Sequence, residues 1–180
     1  MVIANKLSKT NRAEFILYLW QVEDLLRAYN CDFDRIKSEY LVKFDLNDDL
    51  RKETELWYNN LCTMMIEEGV LEKGHLQIHK SILSDLEDMH HRLLASQKFP
   101  YYRDMYHRIL SYVVELRTKG ENNKATEIET CFNTLYGLLI LRLQKKEISD
   151  DTQQAAKNIS SFLGTLSDYY LKDKVDPIEF

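Results

Sequence analysis

HLQIHKSILSDLEDMHHRLLASQ, residues His75–Gln97, is the stretch whose pattern decides the fold of this chain. Its apolar residues Leu76, Ile82, Leu83, Leu86, Met89 and Leu93 recur at steps of three, four and seven, the period of a helix with one buried face. At about 100° per residue, His79 falls ~40° and His90 ~60° around the axis from His75. Three imidazoles therefore share the apolar stripe, and a buried imidazole needs a partner for each ring nitrogen. No other surface of the chain concentrates as much chemistry.

Working outward, the same period recurs in both directions. A first helix is expected from about Asn11 to Asn30, with Asn11 and Glu14 at capping-box spacing and Phe15, Leu19, Val22, Leu26 and Tyr29 on its inner face. Phe33–Lys43 reads as a short second helix. A third begins near Asp48 and stops at Gly69, a residue suited to a left-handed cap. Beyond the histidine helix, Pro100 suits the first turn of a fifth helix ending at Gly120. The sixth, Ala125–Lys145, is apolar around most of its circumference, as expected of a helix that is central or paired with another chain. A seventh runs from Ser149 to Leu171. No segment alternates at period two for long enough to build a sheet. The expected fold is all-α, a single-domain bundle of about seven helices over residues 1–174, with short connections and mostly antiparallel neighbours. Residues 175–180, VDPIEF, are expected to form a loose tail.

Composition limits function from another direction. With 180 residues, two prolines and five glycines, the chain is long enough for a core and poor in turn formers. Three cysteines, Cys31, Cys62 and Cys131, cannot pair completely and show no CxxC spacing, which points to reduced thiols in the cytoplasm. A net charge of −5 argues against nucleic acid as a partner. The cluster Arg142, Lys145 and Lys146 ends a helix, where cations complement the last carbonyls. The longest uncharged run, Thr130–Leu141, falls well short of the ~20 residues that span a bilayer, and no signal-peptide stretch opens the sequence. A membrane is therefore not an expected partner either.

Several strings resemble an uncharacterised bacterial all-helical family, a domain of unknown function. They include Ile3-Ala4-Asn5-Lys6-Leu7, Trp20-Gln21-Val22-Glu23-Asp24, Leu56-Trp57-Tyr58, Met64-Met65 and Lys73-Gly74-His75-Leu76-Gln77-Ile78. Further on come Phe99-Pro100-Tyr101-Tyr102, Val114-Glu115-Leu116-Arg117, Glu129-Thr130-Cys131-Phe132 and Leu141-Arg142-Leu143-Gln144-Lys145-Lys146. The resemblance spans nearly the whole chain. It implies a helical fold and brings no activity, cofactor or catalytic residue with it.

Chemistry must then be sought in the residues themselves. His75 and His79 stand at i,i+4, a spacing that lets two imidazoles reach one divalent metal, with Glu23 or Asp24 as conceivable further ligands. Residue 76 is Leu, so the metalloprotease motif is absent. His90 lies ~16 Å from His79 along the axis and cannot share its ion. Glu87-x-x-His90 forms half of a carboxylate-bridged di-metal pattern, but its mate is missing, since Asp104-x-x-His107 falls on a polar face. Against these metal readings stands a structural one, in which the histidines are hydrogen-bonded core residues served by the chain's eleven tyrosines. Trp20 falls ~140° from Phe15, with Asp24 beside it, which marks either a contact surface or a position that a second neighbour in the bundle covers. Arg117 and Arg142, near the inner faces of their helices, call for snorkelling or for an acid such as Glu23. No nucleophile elbow, Walker pattern or glycine-rich phosphate loop occurs. No complete catalytic constellation is present, so catalysis is not expected and no cofactor is required. The expected function is that of a non-enzymatic cytoplasmic helical interaction or scaffold protein, with the sixth helix as the surface joining a homo-oligomer or a protein partner. The alternative is a bundle that binds a small ligand or a metal beside the histidine helix.

Overall fold

The computed structural model describes residues 1–119 and 125–180, and all of its regular elements are helical. Among the described residues these are α1 (Val2–Thr10), α2 (Arg12–Ala28), α3 (Phe33–Arg35), α4 (Asp48–Glu67), α5 (Gln77–Ala95), α6 (Pro100–Lys119), α7 (Glu127–Leu143) and α8 (Asp150–Val175). The all-α expectation holds, and the helix count is close to the seven expected. The added element is α1. Only Ala4 of its nine residues is buried.

Local chemistry sets the helix ends. Asn47 caps α4 by accepting from the Leu50 N–H, with Asp48 and Asp49 in the first turn beside the positive end of the dipole. Gly69 closes that helix at φ +66°, a left-handed conformation that costs glycine nothing. Thr126 and Glu129 form a reciprocal capping box at α7, and Ser149 caps α8. Asn30 and Cys31, both left-handed, turn the chain out of α2. The expected second helix is helical throughout but changes pitch, from α3 through a π turn at Ile36–Tyr40 to a 3₁₀ turn at Leu41–Lys43. The histidine helix starts later than expected, at Gln77, which leaves His75 in the preceding loop. The expected end of the fifth helix at Gly120 lies outside the described residues.

The chain falls into two compact units. The first comprises Met1–Lys9 and Glu14–Ile82, the second Thr10–Ala13 and Leu83–Phe180. In the first, Val22, Leu26, Ile36, Leu41, Leu61, Met65 and Leu76 form an apolar core with Tyr58 and the thiols of Cys31 and Cys62. Burial pushes the Cys62 thiol up to about 12, so it is held protonated. In the second unit α6, α7 and α8 pack on one another, burying Tyr102, Ile109, Phe132, Phe162 and Leu166.

The segment expected to be a loose tail is docked in the second unit. The Phe180 ring packs 5.6 Å from Phe99 and lies under the Arg92 guanidinium at 4.1 Å. The Ile178 N–H donates to Asp173 at 2.8 Å, and Lys98 donates to the Glu179 carbonyl. Arg92 also pairs with Asp173, so one side chain holds both ends of this short return.

Candidate functional site

The site is built on Glu23, a carboxylate only 1% exposed on the inner face of α2. Trp20, Glu23 and Arg27 follow at steps of three and four and so share one side of that helix. Arg27 holds the loop between α4 and α5 by donating to the carbonyls of Val70 and Gly74, and it lies 3.7 Å from Glu23. Its other arm pairs with Asp24 at 2.7 Å. The loop then delivers His75, and α5 delivers His79.

Both imidazoles converge on the one carboxylate. His75 Nδ1 stands 2.6 Å from Glu23 Oε2, and His79 Nδ1 stands 2.6 Å from Oε1. The Leu76 N–H donates to Oε1 at 2.9 Å, and the Gln77 N–H donates to Glu68. These amides open α5, so two carboxylates satisfy donors that the helix itself leaves unpaired. Burial pushes the Glu23 carboxyl up, but hydrogen bonds from His75, His79 and Leu76, with the charge of His79, outweigh it and hold the carboxyl at about 2. An ionised carboxylate only accepts, so each Nδ1 carries the proton. The Trp20 indole stacks on His75 at 4.2 Å and 13°, which fixes the plane of that ring.

His79 is 3% exposed and also lines a cavity of about 290 Å³ that lies wholly within the first unit. The walls are apolar, formed by Phe15, Leu19, Trp57, Met64, Ile78 and Ile82 among others, and Asn5 and Asn60 add exposed amides. The two nitrogens of an imidazole point to opposite sides of the ring. Nδ1 of His79 is held by Glu23, and the rest of the ring borders the cavity. A larger hollow of about 430 Å³ in the second unit, lined by Tyr112, Thr134 and Gln154 among others, has only exposed or half-buried walls and no such group.

Several expectations need correction. His75 and His79 do come together, each with its Nδ1 on the Glu23 carboxylate. Among the described residues no group of three or more His, Cys, Asp or Glu is arranged to hold a metal ion. Glu87 and His90 do not form the expected pair. Glu87 accepts from the Thr126 hydroxyl, while His90 meets the Tyr102 hydroxyl at 2.7 Å and lies 3.8 Å from Glu127. His90 thus follows the structural reading, with a tyrosine as partner. Burial and the neighbouring His91 hold its ring down at about 4, against the pull of Glu127. Trp20 is not an outward contact residue, since it is 3% exposed and covered by His75. Asp24 stays half-exposed and pairs with Arg27. The guanidinium beside Glu23 is that of Arg27, not of Arg117 or Arg142. Glu23 itself was legible in part, because an acid between Val22 and Leu26 interrupts an apolar stripe.

Fold and site together define an all-helical protein whose first unit buries a carboxylate–bis-histidine cluster beside an apolar cavity. The chain belongs to the family described as a domain of unknown function, DUF4924, whose model matches residues 1–176. Comparison with curated proteins and with solved structures finds no match. Among the described residues no helix is long and apolar enough to cross a membrane.

Proposed function

We propose that this chain is a small-ligand-binding helical protein that takes an apolar molecule into the cavity of its first unit. One observation carries the reading: His79, almost fully buried and oriented by an ionised Glu23, sits in the wall of an otherwise apolar cavity. Ligand sites are typically apolar hollows of roughly 300 Å³ and upward with a few fixed polar groups, and this one lies at the small end of that range. The residues lining it include no Ser, Thr or Cys, which favours binding over covalent catalysis. Three buried thiols without a disulfide suit the reducing cytoplasm, where we place the protein.

The test is a titration of the full chain with butylbenzene, followed through the ¹³C-labelled methyl of Met64 in the cavity wall. A saturable shift that Ile78→Trp abolishes is expected, because the larger ring blocks the space beside the half-exposed Ile78. A Met64 signal that stays unchanged to the solubility limit would refute the reading.

Association of two copies is a second reading, favoured by the outer side of α7. Leu143 is 68% exposed, and Leu135, Leu139 and Ile140 are half-buried. Sedimentation at micromolar concentration should show a dimer that Leu143→Glu dissociates; a monomer at every concentration refutes this.

A further inference from the structure

The chemistry of the cavity narrows the class of molecule it takes, an inference that rests on the ligand-binding reading above. No Lys, Arg, Asp or Glu lines the space. Its one deeply buried polar group is the His79 ring, and Glu23 behind that ring already carries a negative charge matched by Arg27. A charged guest would enter apolar surroundings with no counter-ion of its own, which is strongly unfavourable. A pure hydrocarbon would fill the space but offer the bordering His79 ring no hydrogen bond, and covering a polar atom without giving it a partner is costly too. A hydroxyl satisfies a ring nitrogen in either protonation state, since its oxygen both donates and accepts.

We infer that the ligand is an uncharged, largely apolar molecule carrying one hydroxyl, a small alcohol or phenol, seated with its oxygen on His79 Nε2. At ~30 Å³ for a water-sized group, the cavity of about 290 Å³ accepts roughly ten such groups, the size of a monocyclic phenol with a short alkyl chain. Glu23 acts here as a positioning residue. By fixing the proton on Nδ1 it aims Nε2 at the guest, in the way that an outer carboxylate orients a ligating histidine.

The experiment compares 4-butylphenol, butylbenzene, 4-butylbenzoate and 4-butylbenzylammonium by calorimetric titration of the full chain at neutral pH, with the ¹⁵N shift of His79 Nε2 recorded for each. The phenol is expected to bind about 10-fold more tightly than the hydrocarbon and to be the only probe that moves the Nε2 signal strongly. His79→Phe, checked for native helicity by circular dichroism, should remove the preference for the phenol over the hydrocarbon; if this variant fails to fold, the wild-type Nε2 shift decides alone. Equal affinity for phenol and hydrocarbon, with Nε2 unmoved, overturns the hydroxyl assignment and leaves the cavity reading standing. Tightest binding of the benzoate or the benzylammonium overturns it as well, in favour of a charged guest. Binding of none of the four refutes the ligand-binding reading itself, and the hydroxyl assignment falls with it.

Discussion

Replacing Glu23 by Gln tests the centre of the site, because glutamine keeps the shape of the carboxylic acid and cannot ionise. Glu23 Oε1 accepts from both His79 and Leu76, whereas Oε2 accepts from His75 alone. The glutamine oxygen should therefore take the Oε1 place, and its amide should face His75, which must move its proton to Nε2 in order to accept. The magnitude follows from the carboxyl's position. In the fold it stands at about 2, against an ordinary value of 4.5, so its ionised form is favoured by ~3 kcal/mol over the neutral acid that glutamine imitates. Because the folded value is the lower one, this stability is fully present above pH ~4.5 and disappears as pH falls through ~2. Glu23→Gln should thus cost about 3 kcal/mol at pH 7, about 1.4 kcal/mol at pH 3, and little below pH 2. At neutral pH that corresponds to a fall in Tm of roughly 6–12 °C for a chain of this length. Urea unfolding followed by tryptophan fluorescence is the assay, since Trp20 and Trp57 are the only tryptophans and both lie in the first unit. A penalty that stays constant from pH 7 to pH 2.5 would refute the reasoning, for it would place the cost in packing rather than in charge.

The remaining predictions concern the second unit. His90 is held neutral by burial, with its ring at about 4 against an ordinary 6.5, so the folded chain binds fewer protons between those values and loses stability as pH falls through that window. The loss should approach ~3 kcal/mol by pH 4; an NMR titration of the His90 ring with a midpoint near 6.5 would contradict it. Phe180→Ala removes the ring beneath Arg92 and should cost about 1 kcal/mol by thermal unfolding, with the Ile178 amide losing its protection from hydrogen exchange. An unaltered exchange rate at Ile178 would show that the return is held by Asp173 and Arg92 without the aromatic contact.

Most of the fold was legible because amphipathic period and capping chemistry are local. Asn47 before α4, Gly69 after it, Pro100 at the start of α6 and Ser149 before α8 each act within a turn of their own position. The failures come where something distant decides. His75 belongs to the helical stripe by spacing, yet the chain holds it in a loop, because Arg27 of α2 fixes the Val70 and Gly74 carbonyls just before it. The last six residues look too short to pack, yet Arg92, some eighty positions earlier, gives them both a ring contact and a paired Asp173. Trp20 looks outward on the wheel of α2, and it is covered by an imidazole that a single-helix projection cannot contain.

The same limit of a single-helix projection applies to His75 and His79. Spacing of i,i+4 says only that two imidazoles can reach one point; it does not say what waits there. If the point holds a cation, the rings must present lone pairs, and if it holds a carboxylate they must present N–H groups. The deciding residue is Glu23, more than fifty positions away, and its clue lay in its own helix rather than in theirs. An acid placed between Val22 and Leu26 on an apolar stripe must be paired or neutralised once buried, so it has to collect donors from elsewhere in the fold. Two histidines, one in the first turn of α5 and one in the loop before it, are the donors best matched to it, because each can give one proton to the acid and keep a second nitrogen for other work. A buried acid on α2, a buried imidazole on α5 and a half-buried one in the loop before it are each unsatisfied alone, and together they complete one another.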